Sequence, residues 1–333
     1  MSKKTKEEKS DFQNTLAVLE KKYGMGKSNI TDLIITSTGS IQLNRAMGIG
    51  GTALGKMIEI FGEESSGKST VTLHQIAEYQ KAFPEKRTAL FDYEHSFDPL
   101  YATTLGVDME KLLIYQPDDQ ESGYNMILGL IEKELVSCIV IDSQTAAPPK
   151  AIVDGDIGDA TISLQARNNS KFCLKVKGQL SVHKVALFII SQTRDNIGGM
   201  SSGKIPTGGN SFKFYADARW KIWKMNDKEN EQNKTTIDVI KSKISKPFGQ
   251  AKLNILWGVG FDTVGEILDY ALEFKIIKQS GSWFSYEETK LGQGVENVKS
   301  LLKDNPELLE EITNLVMTNL SVPTIIITED NKI

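Results

Sequence analysis

Short apolar runs alternate with amphipathic stretches along residues 33–194. The runs typical of strands lie at residues 57–61, 88–91, 112–115, 137–141 and 185–190. Apolar positions at helical spacing lie between most of these runs. Because strands that alternate with helices build parallel sheets covered on both faces, the pattern predicts an α/β core around a mostly parallel sheet.

After residue 194 the pattern changes to strands without helices between them. These runs lie at residues 218–224, 236–241 and 253–257. We expect them to form a meander that extends the same sheet.

Past residue 260 the pattern predicts a second, smaller unit. Residues 264–272 indicate an amphipathic helix, the aromatic residues 283–286 a short hairpin, and residues 298–320 a further helical stretch. We therefore expect a small α+β domain over residues 261–333, after a core over residues 33–260.

The N-terminal residues carry a helical pattern of their own over residues 10–23, followed by a linker over residues 25–32. Its apolar stripe consists of Phe12, Leu16, Leu19 and Tyr23. Residues 1–32 are therefore expected to form an arm. The stripe must be covered by the same chain or by another subunit, and the pattern leaves both open.

The composition of the 333 residues, with 40% hydrophobic and 25% charged, is typical of a soluble globular protein. No apolar run reaches the roughly 18 residues that span a bilayer, and the lysine-rich N-terminus does not resemble a secretory signal. Two cysteines, Cys138 and Cys173, are too few for a disulfide framework. These features predict a cytoplasmic protein.

Charge is distributed unevenly along the chain. The net charge is −4, yet residues 160–216 hold eight basic residues and one acidic residue. Arg167, Lys171 and Lys175 recur four residues apart and so share one face of a helix. The stretch is either a polyanion-binding surface or an ordinary solvated face, and charge alone favours neither.

Residues 62–69 match the phosphate-loop pattern GxxxxGK[ST], between a predicted strand and a predicted helix over residues 69–79. The glycines let backbone N–H groups face phosphate oxygens, and the helix N-terminus adds partial positive charge. Lys68 would reach the β- and γ-phosphates, and the Ser69 hydroxyl would ligate Mg²⁺. The motif predicts a nucleoside triphosphate site.

Acidic residues follow two of the predicted strands, at the edge where parallel sheets bind ligands. Asp142 is the expected partner of the Mg²⁺ shell. Glu94 is the expected general base that activates water, and Asp92, two residues earlier on the same face, competes for that role. Position alone also allows both residues a purely structural role.

These and other motifs resemble those of the bacterial RecA recombinases. The matching segments are IEIFGEESSGKS (residues 58–69), FDYEHSFDPLY (91–101), STGS (37–40), TGGN (207–210), KFY (213–215), KSK (241–243), GQG (292–294) and KDNP (303–306). They occur in order over residues 11–320. The resemblance implies a RecA-type P-loop ATPase core, an N-terminal polymerisation helix and a small C-terminal domain.

The resemblance also implies an activity. A protein of this family, cellular or phage-encoded, uses ATP and Mg²⁺, forms helical filaments of its own copies on single-stranded DNA, and hydrolyses ATP in a DNA-dependent way. It pairs that strand with homologous duplex DNA and exchanges strands in recombination and repair. An SOS co-protease role with a LexA-like repressor is left open.

Individual roles follow from the matched positions. Glu94 matches the carboxylate that orients water, which favours it over Asp92; Gln192 matches the sensor of the γ-phosphate; Lys68 completes the catalytic set. Tyr101 would stack on adenine. The nucleotide-binding residues carried over are Gly62, Glu63, Glu64, Ser65, Ser66, Gly67, Lys68, Ser69, Thr70, Asp98, Tyr101, Asp142, Ser143, Lys241 and Lys243, with Ser69 and Asp142 on the metal.

Subunit and DNA contacts are implied in the same way. Lys241 and Lys243 would reach a neighbour's ATP, Phe214 would lie in that interface, and the N-terminal helix would dock on the neighbour. Two loops, residues 154–163 and 193–209, and the helix between them would bind DNA. The DNA-binding residues carried over are Ile162, Arg167, Lys171, Lys175, Arg194, Asn196, Gly198, Met200, Lys204, Gly208, Gly209 and Asn210. The sequence departs from the family pattern at Ile162, Leu174, Asn196 and Ser201.

Two other functions share part of this signature. A ring-forming helicase or motor ATPase of the same fold would keep the phosphate loop and the acids, but it is not expected to carry the TGGN, KSK and GQG matches. A nucleotide-gated DNA-binding scaffold without hydrolysis is the non-enzymatic alternative. The intact Glu94, Lys68 and Ser69 argue against it.

Overall fold

The computed structural model describes residues 33–156, 163–195, 204–227 and 232–320, and five positions within residues 1–32. The chain divides into two compact units, Met1–Ile34 and Ile35–Ile333. The five described positions within residues 1–32 are helical, in agreement with the predicted N-terminal helix. The stripe residues Phe12, Leu16, Leu19 and Tyr23 lie outside the described residues, as do the predicted linker and residues 321–333.

A two-stranded ladder, β1 (Ile35–Thr36) with β2 (Thr52–Ala53), precedes the main sheet. Within the described residues, ten strands form that sheet. They are β3 (Met57–Gly62), β4 (Arg87–Asp92), β5 (Leu112–Tyr115), β6 (Val136–Asp142), β7 (Ala186–Asp195), β8 (Lys204–Pro206), β9 (Ala218–Asp227), β10 (Gln232–Ser242), β11 (Gln250–Leu256) and β12 (Gly260–Phe261). Their order is β12-β11-β10-β9-β3-β7-β6-β4-β5, with β8 paired to β7.

The pairing confirms the predicted fold class. Adjacent strands are parallel along the order β9-β3-β7-β6-β4-β5. Strands β9 to β12 pair antiparallel and extend the sheet, and β8 pairs antiparallel with β7. Each predicted strand overlaps one observed strand. The carboxyl ends of β3, β4, β6 and β7 therefore meet at one edge, where ligands of parallel sheets bind.

Helices cover both faces of the parallel strands. They are α1 (Ile41–Met47), α2 (Lys68–Ala82), α3 (Pro99–Thr104), α4 (Gln120–Glu132), α5 (Lys150–Val153), α6 (Leu164–His183) and α7 (Ser211–Tyr215). One core cluster joins the sheet to α4 and α6 and contains Ile139 and Phe172. On the other face, Tyr79 of α2 packs edge-on against Phe188, which contacts Trp220. Because β-strand side chains alternate in direction, both faces of β7 are buried.

The C-terminal elements form their own core around three helices and a three-stranded antiparallel sheet. The helices are α8 (Thr263–Glu273), α9 (Val295–Asp304) and α10 (Pro306–Leu320), and the strands are β13 (Ile277–Ser280), β14 (Trp283–Tyr286) and β15 (Thr289–Gln293). The predicted hairpin is thus part of a three-stranded sheet. The predicted helical stretch of residues 298–320 breaks at Asn305, because a proline disfavours helical backbone in the residue before it and starts the next helix readily.

Among the described residues, none of the helices is long and apolar enough to cross a bilayer.

Candidate functional site

The phosphate loop connects β3 to α2, and its backbone forms an open cradle. Gly67 lies just before α2 with φ of 94°, a left-handed conformation that glycine adopts without strain. The cleft over this loop has a volume of about 230 Å³. Its lining residues include Glu64 to Thr70 of the loop together with Glu94, Asp142 and Gln192, so the predicted catalytic residues converge with part of the predicted nucleotide-binding set.

Lys68 lies in the floor of the cleft, with its side chain folded back over the loop. Its Nζ donates to the backbone oxygens of Glu63 at 2.6 Å and Gly62 at 3.3 Å. Burial lowers the pKa of Lys68, and the nearby carboxylates of Asp142 and Glu94 oppose that change. The ammonium is therefore placed to gain from a further anion in the cleft.

Ser69 and Asp142 lie together, as the sequence predicts. The Ser69 Oγ donates to Asp142 Oδ2 at 2.7 Å. Burial raises the pKa of Asp142 to about 6, and the charges of Glu94 and Asp92 act in the same direction. A divalent cation would relieve this concentration of negative charge.

The donor set fits Mg²⁺ rather than a metal held by protein alone. Within the part of the chain that the structure describes, no three His, Cys, Asp or Glu side chains are grouped to hold a metal ion. Mg²⁺ usually keeps water and substrate phosphates in its shell and takes only one or two protein ligands. A hydroxyl and one carboxylate, from Ser69 and Asp142, meet that requirement.

Glu94 has the free carboxylate oxygen that a general base needs. Its Oε1 accepts hydrogen bonds from the Ser143 hydroxyl and from Gln192 Nε2, the latter at 2.8 Å. The described contacts place no donor on Oε2. Gln192, the predicted sensor of the γ-phosphate, thus lies directly against the predicted base.

Asp92 is arranged differently. It is buried, and its two oxygens accept bonds from the backbone N–H groups of Ser96 and Phe97 and from Gln116 Nε2. These contacts hold the turn after β4. The geometry therefore favours Glu94 over Asp92 as the group that faces substrate.

The predicted adenine-binding residues lie beside the cleft and do not line it. The Tyr101 hydroxyl is 3.0 Å from Thr70 Oγ1, at the start of α2. Asp98 caps α3 by accepting bonds from the N–H groups of Leu100 and Tyr101. Asp98 therefore has a structural task that the sequence analysis did not assign to it.

Lys241 and Lys243 are also outside this chain's own cleft. Their ammonium groups donate to the last carbonyls of α7: Lys241 Nζ to Lys213 O at 2.7 Å and to Phe214 O at 3.0 Å, and Lys243 Nζ to Phe214 O at 3.4 Å. Phe214 itself is 66% exposed. Two cations and an exposed aromatic ring are therefore grouped on one surface.

Comparison with known proteins decides the family. The model of the RecA N-terminal domain matches residues 10–262, and that of the RecA C-terminal domain matches residues 265–321. The chain belongs to the RecA family. A curated protein named RecA from Bacteroides thetaiotaomicron is 42% identical over 321 residues, which cover 93% of this chain and 97% of that relative.

Two further curated RecA proteins show the same extent of similarity. The one from Chlorobaculum tepidum is 42% identical, with 92% of this chain and 91% of the relative covered. The one from Clostridium novyi is 39% identical, with 94% and 92% covered. These findings support a RecA recombinase, and nothing in them favours the ring-forming helicase.

The DNA-facing residues expected of a RecA protein are only partly within the described chain. Arg167, Lys171 and Lys175 are exposed along α6, as their spacing predicts. Lys177, which contributed to the basic stretch, instead pairs with the buried Asp217 and supports the core. The residues of the predicted set that lie outside the described residues are Ile162, Asn196, Gly198 and Met200.

The second predicted DNA loop begins and ends in regular structure. Residues 193–195 of β7 pair antiparallel with residues 204–206 of β8, so Arg194 and Lys204 lie on a hairpin stem. The glycine pair Gly208 and Gly209 and the following Asn210 then lead into α7. The remainder of that loop lies outside the described residues.

Sequence reasoning missed a group of buried amide side chains beside this hairpin. Gln144 and Asn169 are fully buried, and Gln165 bonds three carbonyl oxygens after β6. No short motif contains these residues. The available signal was polar residues within otherwise apolar segments, at Gln144 directly after a buried strand and at Asn169 in α6.

Proposed function

We propose that this RecA-family chain binds ATP with Mg²⁺ in the phosphate cleft, assembles as a filament on single-stranded DNA, and hydrolyses ATP while exchanging homologous strands. The contact between Gln192 and Glu94 carries this proposal. It joins the cleft to β7, whose last residues, 193–195, are also the first residues of the predicted DNA loop of residues 193–209. Gln192 therefore contacts Glu94 and directly precedes the predicted DNA loop.

Hydrolysis follows from the placement of four side chains. Glu94 Oε1 is occupied by two donors, so Oε2 is left to orient water and to accept its proton. Lys68 would leave the loop carbonyls for the β- and γ-phosphates, where its charge is better compensated. Mg²⁺, held by Ser69 and Asp142, would neutralise charge on the phosphate oxygens.

Nucleotide-dependent DNA binding follows from Gln192. When a γ-phosphate attracts its amide, the bond to Glu94 is exchanged for one to the nucleotide, and the adjoining residues 193–195 of β7 move with it. Nucleotide switches commonly transmit a γ-phosphate contact to an adjoining segment in this way. The exposed Arg167, Lys171 and Lys175 would bind phosphates of the DNA backbone without reading sequence.

The surface around Phe214 supports assembly into a filament. Lys241 and Lys243 do not line their own cleft, and they end beside an exposed aromatic ring. A neighbour's triphosphate placed there would gain cationic charge in trans, as an arginine finger supplies it. A head-to-tail contact that does not close builds a helix of subunits.

Three measurements on the full-length protein test the proposal. Phosphate release from ATP is measured with and without oligo(dT), filaments are sought by electron microscopy, and strand exchange is followed between a labelled single strand and homologous duplex. We expect DNA-stimulated hydrolysis, filaments and exchanged product that requires ATP. Closed rings, or hydrolysis that ignores DNA, would contradict the proposal.

A further inference from the structure

Four amide side chains form a buried network between the phosphate cleft and the glycine loop of residues 207–210. The members of this amide network are Gln120, Gln144, Gln165 and Asn169. Three of them, Gln120, Gln144 and Asn169, are 0% exposed. Because a buried amide without partners is costly, the bonds of such groups fix their neighbours in one arrangement.

Gln144 holds the first peptide of the glycine loop. Its Nε2 donates to the Thr207 carbonyl oxygen at 2.8 Å and to Ser191 Oγ at 3.3 Å. Its own backbone N–H donates to the Ile190 carbonyl at 3.0 Å, which ties the residue to β7. Gln144 thus connects β7, the strand that carries Gln192, to the loop that follows β8.

Asn169 holds the next peptide of the glycine loop. Its Nδ2 donates to the Gly208 carbonyl oxygen at 2.8 Å and to Gln144 Oε1 at 3.0 Å. Its Oδ1 accepts from Gln120 Nε2 and from the Tyr124 hydroxyl, both at 2.7 Å. Since Asn169 belongs to α6, the helix that carries the basic face is bonded to the same loop.

The close approach of the loop to these amides requires glycine. Gly208 has φ of +85°, and a Cβ there would lie 2.4 Å from Gln144 Oε1. Any larger side chain would therefore displace the Gln144 amide. The sequence of the loop and the position of Gln144 fit each other.

The loop is also bonded to the backbone of the γ-phosphate sensor. The Gln192 carbonyl accepts from the Thr207 N–H at 3.0 Å, and the Gln192 N–H donates to Thr145 Oγ1 at 3.0 Å. The hydroxyls of Thr145 and Thr207 are 2.9 Å apart. A displacement of Gln192 therefore reaches Thr207 through direct hydrogen bonds.

We infer that Gln144 and Asn169 are positioning residues that couple the nucleotide-dependent state of Gln192 to the glycine loop and to the basic face of α6. The inference rests on the proposed function, because it presupposes DNA binding that depends on the nucleotide. Coupling of this kind is reciprocal, so DNA must change nucleotide affinity by the same factor.

The test compares two variants, Gln144→Met and Gln120→Met. Each replaces a fully buried amide that is hydrogen-bonded to Asn169 with an apolar side chain of similar size. Among the described contacts Gln120 makes no hydrogen bond to residues 207–210, so it is the matched control. The dissociation constant of fluorescent oligo(dT) is measured by anisotropy with ATPγS and with ADP. We expect wild type and Gln120→Met to keep a large ratio between the two, and Gln144→Met to bring the ratio within about threefold of one.

Affinity for ATPγS in the absence of DNA should stay within about twofold of wild type in both variants. This result would show that the phosphate cleft is intact and that only the coupling to DNA binding has changed. If Gln144→Met keeps the wild-type ratio, or if Gln120→Met loses it equally, the inference is wrong. If wild type itself shows no nucleotide dependence, the proposed function fails instead.

A second measurement needs no variant. Hydrogen exchange of wild type, with and without ATPγS, is followed in peptides that cover residues 164–170 and 207–210. We expect protection to change in both peptides together. A change confined to residues 207–210 would overturn the inference even if Gln144→Met does not fold.

Discussion

The phosphate cleft and the amide network are neighbouring polar regions of one core, and they differ in charge. The cleft is built from ionised groups, among them Lys68, Asp142 and Glu94, and it is open to solvent on one side. The amide network is neutral, and three of its four members are sealed from solvent.

The difference shows which task each kind of group can perform. Burial lowers the pKa of Lys68 and raises that of Asp142, so the charged form of each group is disfavoured until a ligand compensates its charge. Amide side chains do not ionise, so their hydrogen bonds do not change with pH. Charged groups therefore suit the contact with substrate, and neutral ones suit the transmission of position.

The largest effect is expected when the charge in the cleft is removed. Lys68→Ala deletes the ammonium that would contact the β- and γ-phosphates, and we expect DNA-dependent ATP hydrolysis to be abolished. The rate of phosphate release measures it. Lys81→Ala, at the exposed far end of the same helix, is the control and should hydrolyse ATP at the wild-type rate.

Loss of the proposed general base, Glu94, should reduce hydrolysis without reducing ATP binding. Glu94→Gln keeps the side-chain volume and an acceptor oxygen, so ATP binding should persist while turnover falls by about 10²–10⁴-fold. Single-turnover hydrolysis and equilibrium nucleotide binding measure the two quantities. Asp92→Asn should lower turnover far less, and the opposite ranking would assign the base to Asp92.

Breaking the amide network should lower the stability of the fold by the same amount at every pH. Asn169→Leu removes the donor to Gln144 Oε1 and to the Gly208 carbonyl and the acceptor of the Gln120 amide. We expect the free energy of unfolding to drop by about 3 kcal/mol. Urea denaturation at pH 6 and pH 8 should give the same loss. Asn168→Leu, one residue earlier and partly exposed, should change it by less than about 0.5 kcal/mol.

A smaller effect concerns a buried carboxylate distant from the cleft. Glu266 of α8 accepts bonds from Ser40 Oγ and the Gln42 N–H, and burial, with Asp262 acting in the same direction, raises its pKa to about 7. The folded chain thus holds this proton more tightly than the unfolded one. The stability that this group contributes is fully present below about pH 4.5 and is lost as the pH rises through 7. Between those two values the free energy of unfolding falls by about 1.4 kcal/mol for each pH unit.

Glu266→Gln should remove that slope between pH 4.5 and 7 in urea denaturation. Glu273→Gln, on the same helix but exposed, should retain it. An unchanged slope in Glu266→Gln would show that this buried carboxylate is not the source of the pH dependence.

Much of the cleft was predictable because its chemistry is local. The phosphate loop, its strand and its helix are consecutive, and the residue types at Gly67, Lys68 and Ser69 restrict both the backbone and the ligand. Glu94 and Asp142 were predictable as strand-end acids, since parallel strands bring their carboxyl ends together. Position after the strand did not decide between Glu94 and Asp92, and only the family resemblance favoured Glu94, because the contacts that distinguish the two come from neighbouring turns.

The amino-acid sequence alone determined eight of the ten strands of the main sheet, its mostly parallel class, the phosphate loop and the basic face of α6. Each of these depends on residue spacing within elements or on the order of elements along the chain. Tertiary structure decided the rest. Asn169 meets Gln144 and Gln120, which lie 25 and 49 residues away, only because β6, β7, α4 and α6 are neighbours in space. No local pattern encodes that order, and a buried amide takes its meaning from the partners that the fold supplies.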